Sequence, residues 1–435
     1  MAEDSENKAD FEPRDADKTA APSMPVWKDD DDDVEDDLGG SAVTSEPDWV
    51  AKRRRELLET DGKGELDASS ALTGKLAKVK PSSRTSGVRF RIDRQGDSRF
   101  NISVDGGIAQ VGFDQGCSVL AVLGRRSKSV LLYEVDRHRS EGKYFRLKGE
   151  MSSPATSGEA VSSFAFSDEG KSMLLVTNRK NVMKYDMNQN STLRISSLTN
   201  PRTESRYSRV HTPPASDDEA ASVFALSCSD HGGVLLCDAR SNAIIHHFQM
   251  NAVSVGVGFH YRAGVVITAD KDANIYEWDL ATGRCVHKFK DDHSLHLTSF
   301  AISPGAHEEF SRHAFVAAGS QMGFLNLFPL LPGAAEGDEE RSCIKRALLK
   351  SYGNLSTPIT SIAADDSGKF IAYGSEHKKN ALRIIHNPSG CVVGNWPTEN
   401  VGIGRVTDMA FASRFSTLAV GNRAGRVQFF RILTS

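Results

Sequence analysis

Residues 253–290 read VSVGVGFHYRAGVVITADKDANIYEWDLATGRCVHKFK. The stretch opens on an alternating apolar strand, passes through a turn to a small-residue strand, and continues through the tight turn Asp272-Ala273-Asn274-Ile275 into an apolar strand ending in Trp278-Asp279. Period-two alternation places successive side chains on opposite faces of a sheet, and short strands separated by turn residues predict an all-β unit.

The same template recurs, and internal repetition outranks any single-segment reading. Further copies occupy 108–136, 160–187, 222–248, 297–330, 358–396 and 405–432, which makes seven. Their third strands begin near Leu131, Val182, Leu235, Ile275, Leu325, Leu382 and Val427. Four of the six intervals, 51, 53, 50 and 57 residues, exceed the roughly 40–45 residues of a four-stranded blade. The excess is assigned to polar insertions at 201–220 and 331–346, expected on a face outside the strands.

Radial repetition hides most sheet edges, so the expected fold is an all-β, seven-bladed β-propeller spanning 86–435. Blades are expected near 108–148, 160–196, 207–248, 253–290, 297–348, 358–396 and 405–433. The last copy stops after its third strand at Ile432, so its fourth strand must come from 86–104, either SGVRFRID (86–93) or RFNISV (99–104).

Residues 1–85 have a different texture: few apolar runs and much charge, Ser, Pro and Gly. Such a composition buries too little surface to offset ordering entropy and predicts a disordered tail, with a short helix near 48–59 carrying Trp49 and the basic run that includes Arg53, Arg54 and Arg55. The charge is divided unevenly. Residues 1–40 hold 15 acidic and 4 basic side chains against a whole-chain net of -4, which leaves the rest at +7. Trp27 stands directly beside Asp29, Asp30, Asp31, Asp32 and Asp33, an apolar anchor with charged neighbours that suits a docking peptide.

No chemistry is legible. Cys117, Cys228, Cys237, Cys285, Cys343 and Cys391 show no CxxC spacing and read as reduced thiols, most of them in core strands. His246 and His247 point to opposite faces of a strand, and EGKS at 169–172 lacks the first glycine and the following helix of a phosphate loop. No GxSxG, HExxH or GxGxxG occurs. The expectation is a non-enzyme without metal, cofactor or small-molecule substrate. The chain also shows neither a run of about 20 apolar residues nor a signal-peptide pattern, so no membrane role is expected.

Arg125, Arg126, Lys128, Arg137 and Arg139 gather around the first blade's loops without paired aromatics, which suggests backbone contact with nucleic acid rather than base stacking. Thr212-Pro213 and Ser216 followed by three acids resemble phosphorylation contexts.

Residues 253–330 resemble the WD40 repeat family: Asp272 takes the turn position, Trp278-Asp279 is the name-giving dipeptide, and His293 stands four residues before Leu297. That resemblance implies a turn Asp, loop His and strand Ser network. The position matching the turn Asp for the blade after His293 is Met322, so His293 is expected to be an ordinary loop histidine.

Three features together resemble the U3 small nucleolar RNA-associated protein 18 family: Pro25-Val26-Trp27-Lys28 with its Asp run, the segment Lys52–Arg55 followed by Glu56-Leu57, and the last repeats with Asn395-Trp396-Pro397-Thr398 and Leu418–Val427. The resemblance implies a nucleolar scaffold of the small-subunit processome in U3-dependent pre-18S rRNA processing. Its implied partners are other processome WD40 and scaffold proteins, the U3 snoRNP and pre-rRNA. The family's Leu-Phe-x-x-Asp motif for an exosome-associated RNA helicase has no clean copy; FEPRD (11–15) shares only Phe11 and Asp15. The alternative reading is a WD40 adaptor for a ubiquitin ligase or chromatin, although Trp278-Asp279-Leu280-Ala281 lacks the arginine typical of such receptors.

Overall fold

The computed structural model describes residues 90–434, apart from 96–101, 137–146, 155, 157, 180, 199–205, 214–222, 261–263, 304–313, 331–347, 395 and 399–400. Its strands, numbered β1–β28 in chain order, form seven four-stranded antiparallel sheets, the blades of a seven-bladed β-propeller. The innermost strands are β2 (Ile108–Phe113), β6 (Val161–Ser167), β10 (Tyr207–His211), β14 (Ser254–His260), β18 (Leu297–Ser303), β22 (Ser361–Ala364) and β26 (Val406–Ala412). Within each of the first six blades the other three strands follow outward in chain order.

Burial follows this radial order. Second strands such as β3 (Val119–Gly124), β19 (Phe315–Ser320) and β27 (Thr417–Asn422) are buried at every residue, and those of the third and fourth blades at all but their first, because a neighbouring blade covers each face. The fourth strands β13 (Ile244–Gln249) and β17 (Cys285–Lys290) are mostly exposed at the rim. Small residues in the second strands have a steric cause. A Cβ on Gly421 would stand 2.7 Å from Ile108 Cγ2 of the first blade, and one on Gly319 would stand 2.9 Å from Ile359 Cγ2 of the sixth. Glycine lets the blades close to native packing density.

The core is correspondingly divided into seven hydrophobic clusters, one between each pair of adjacent blades. The one that closes the ring joins Ile108, Val111 and Leu120 of the first blade to Ala419, Val427 and Phe429 of the seventh.

The last blade is completed from the other end of the described chain. Strand β1 (Phe90–Gln95) pairs antiparallel with β28 (Val427–Thr434), with Ile92 opposite Ile432. The first of the two candidate segments is therefore the donor. The second contributes a bridge between Ser103 and Arg426 and a hydrogen bond from Val104 N–H to Gly425 O of 2.8 Å.

Residues 207–211, which the polar insertion at 201–220 and the blade expected near 207–248 share, form the innermost strand of the third blade. Tyr207 and Val210 are buried against Ile195, Leu198 and Phe224, while Arg209 is exposed. Only two apolar anchors interrupt a polar run, which hid the strand. Thr212 and Pro213 end it, with Pro213 O accepting from Gln115 Nε2 at 3.3 Å; Ser216 and the insertion at 331–346 lie outside the described residues.

Because β28 is held on both sides, its buried face carries closure. Ile432→Ala should lower unfolding free energy by about 2–4 kcal/mol, read as a drop in the denaturant midpoint with an unchanged slope.

Candidate interaction face

In each blade the turns between second and third strands, and the connections from one blade to the next, emerge on one face. Turns between first and second and between third and fourth strands emerge on the other.

The fourth blade shows how such a turn is built. Asp270, at the end of β15 (Val265–Asp270), is fully buried and accepts hydrogen bonds from Asn274 N–H at 2.8 Å, Asn274 Nδ2 and the Tyr276 hydroxyl at 3.0 Å. Burial pushes the Tyr276 phenol up to about 12, and its bond to Asp270 acts in the same direction. Trp278, on β16 (Asn274–Asp279), donates from Nε1 to Thr268 Oγ1 at 2.8 Å and stacks on Phe248 of the third blade with ring centroids 4.9 Å apart. Asp279 accepts from the Ala281 and Thr282 N–H groups and the Thr282 hydroxyl, closing the next turn; those bonds, the Thr282 hydroxyl foremost, lower its carboxyl.

Asp272 is exposed, and its carboxylate lies 3.8 Å from His296 Nδ1. His293 is also exposed, its N–H donating to Asp291 Oδ1. The buried carboxylate of the following turn is Asp291, which receives Asn326 Nδ2 at 2.7 Å. Trp27, Asp29–Asp33, Trp49 and Arg53–Arg55 lie outside the described residues, as does the tail reading built on them.

Toward the channel, polar side chains of the innermost strands tie one blade to the next. Gln110 exchanges two hydrogen bonds with the Phe164 backbone, 2.8 and 3.1 Å long, and accepts from Ser163 Oγ. Asp408 receives Val111 N–H of the first blade at 2.8 Å and Ser361 Oγ of the sixth at 3.2 Å, so one carboxylate joins three blades. Burial raises its pKa, opposed by the Val111 N–H and by the charge of Arg209 on the third blade, across the ring. His211 is pushed down to about 3 by burial first and by Arg209 second, which keeps its ring neutral; Nε2 sits 3.5 Å from Ser227 Oγ.

The outer surface carries two sets of exposed apolar side chains. On the face of the second-to-third turns Leu295 is 76% exposed, Met322 64% and Phe324 44%. At the rim, Leu193, Ile244, Ile245 and Val286 are exposed on the outer strands of the second, third and fourth blades. Burial raises the thiols of Cys117 and Cys228 to about 11 and Cys237 to about 12, unlike an activated nucleophile. Among the described residues no three His, Cys, Asp or Glu side chains are grouped to hold a metal ion, and no helix is long and apolar enough to cross a membrane.

Comparison with known proteins gives this surface a context. The human U3 small nucleolar RNA-associated protein 18 homolog is 24% identical over 330 residues, 75% of this chain and 53% of that protein. The Drosophila melanogaster homolog is 26% identical over 212 residues, 48% of this chain and 38% of its own length. The Caenorhabditis elegans homolog is 25% identical over 332 residues, 75% and 71%. The chain is similar to the U3 small nucleolar RNA-associated protein 18 proteins. It spans about half or less of the fly and human relatives, and no family model matches it.

Set beside these U3 small nucleolar RNA-associated protein 18 relatives, the chain's own structure adds residues that motif reading passed over. Asp270 was hidden by Asp272, the residue at the expected turn position two places later. Asp408 and Gln110 bond across blades, which no local spacing encodes. Asp270→Ala strands the Tyr276 hydroxyl and the Asn274 amide and should cost about 2 kcal/mol or more, whereas Asp272→Ala should stay within about 0.5 kcal/mol in the same urea titration.

His211 sets a pH dependence. Its folded pKa is below the unfolded value, so the unfolded state binds the proton more readily, and stability present above about 6.5 is lost as pH falls toward 3. Discounted for its partial exposure, the effect by pH 5 is about 1 kcal/mol. The stability gap between parent and His211→Asn should shift by that amount in the variant's favour between pH 7 and pH 5.

Proposed function

We propose that this chain is a non-catalytic WD40 scaffold of the nucleolar small-subunit processome, supporting U3 small nucleolar RNA-dependent pre-18S rRNA processing and small-subunit biogenesis. The observation that carries the reading is the shared similarity to relatives named for U3 small nucleolar RNA association, from human, fly and worm. For the human and worm proteins the match covers 75% of this chain.

The physical features fit docking. A closed ring with interblade cores is rigid, so loops and rim strands are presented with little ordering cost on binding. Leu295, Met322 and Phe324 offer one apolar patch, and Leu193, Ile244, Ile245 and Val286 a second along three blades. Exposed apolar groups gathered in this way mark protein contact surfaces. In this reading, other processome WD40 and scaffold proteins occupy these patches, the segment with Trp27 and Asp29–Asp33 serves as a docking peptide for a basic groove, and Trp49 with Arg53–Arg55 forms a second partner-binding segment. Contacts with pre-rRNA or the U3 particle run through backbone phosphates or through protein partners.

Affinity purification of the tagged chain tests the proposal. Recovery of U3 small nucleolar RNA with other processome proteins, and a compact nucleolar signal from a fluorescent fusion, are expected. Absence of both overturns it. Trp27→Ala should reduce the recovered assembly at unchanged Tm; equal recovery removes the docking role of that segment.

A further inference from the structure

We infer that the second-to-third turns and blade connections of the sixth, seventh and first blades form one basic arc that binds the phosphate backbone of RNA. The inference rests on the reading of the chain as part of an RNA-containing assembly, and deepens it by naming the surface.

The arc begins with sequence. Residues 102–107, 124–129, 375–380, 401–405 and 422–426 hold eight Lys and Arg against two acids, Asp105 and Glu376. On the same face of the third to fifth blades, residues 229–232, 250–253, 271–273, 291–296, 321–324 and 353–360 hold one Lys against four acids. On the opposite face, the described turns of the sixth, seventh and first blades hold four acids against two basic residues. Among the described residues of these turns, the positive charge therefore gathers on one side of one face.

Geometry joins these turns into a single surface. Asn380 N–H donates to Gly404 O at 2.7 Å, and Arg423 N–H donates to Arg405 O at 2.9 Å. Arg125 N–H donates to Gly107 O at 2.9 Å, fixing the first blade's turn to the incoming connection. Glu376, whose side chain is 20% exposed, pairs with Arg125 of the first blade and lies 3.7 Å from Arg423 Nη1 of the seventh. One recessed carboxylate holds two guanidinium groups in place, while Arg126, Lys378, Lys379 and Arg405 stand exposed around them. Part of the ordering entropy of binding is thus already met.

The chemistry favours a phosphate polymer. A line of positive charge crossing three blades matches a chain with one charge on every unit, and arginine presents a fork that pairs with phosphate oxygens. Among the described residues, the five segments contain no Phe, Tyr or Trp on which a base could stack. Recognition of the backbone without base readout follows.

The test uses the full chain, fluorescein-labelled oligouridylate and a polyglutamate peptide of matched charge. Lys378→Ala, Lys379→Ala and Arg405→Ala combined should weaken oligouridylate binding about tenfold and lower the magnitude of its log–log salt slope by about 2. Arg240→Ala with Arg284→Ala, on the opposite face, should change neither, and the melting temperature of both variants should match the parent. Unchanged affinity and slope in the triple variant overturns the inference. So does polyglutamate binding as tightly as oligouridylate, which would make the arc a surface for acidic protein. The assembly reading fails separately, through loss of U3 RNA from the purified parent complex while arc-dependent oligouridylate binding persists.

Discussion

Since every hydrophobic cluster is shared by two neighbouring blades, no blade has an interior of its own, and the stability of each depends on the blade beside it. A row of seven such sheets would leave two apolar faces in water. The ring removes both by bringing Ile108 and Val111 against Ala419 and Phe429. Second strands become the most constrained part of the chain, buried on both faces and reduced to glycine where the next blade's first strand comes close. Outer strands answer to fewer neighbours and are free to carry surface chemistry.

Polar groups do a different task at smaller radius. Near the channel a side chain can reach the backbone of the adjoining blade, and Gln110, Ser163 and Asp408 do so. Where such bonds are replaced by apolar contact, glycine brings the strands together: a Cβ on Gly256 would meet Phe300 Cβ at 2.8 Å, and one on Gly258 would meet Ile302 Cδ1 at 2.3 Å. Buried carboxylates at the turns, Asp270 and Asp291, serve a local purpose, holding backbone and side-chain donors that would otherwise be unpaired.

The repeat, the blade number and the starts of the third strands were legible because a blade is a local unit with its own alternation and turns. β16, β20 (Leu325–Pro329), β24 (Leu382–His386) and β28 begin within one residue of Ile275, Leu325, Leu382 and Val427. What local patterns cannot encode is a partner distant in sequence. Arg-Val in the polar stretch at 207–211 becomes a strand only because the clusters formed with the second blade need Tyr207 and Val210. Asp272 had the expected position in the turn, yet Asp270 has the donors, since burial depends on the sheet's register rather than on spacing. Arg125, Glu376 and Arg423 are separated by 251 residues at the extremes of their ion pairs and meet only once the ring exists.

Pairing of β1 with β28 also has a temporal side. Residues 90–95 leave the ribosome early, but their hydrogen-bonding partners at 427–434 emerge more than three hundred residues later. Throughout that interval the nascent chain carries a strand whose edge has no native neighbour, and the intermediate blades accumulate with one apolar flank uncovered. Synthesis and maturation are thereby coupled: the propeller reaches its closed form only after translation of its final strand, and a chain interrupted earlier keeps one apolar flank open to water.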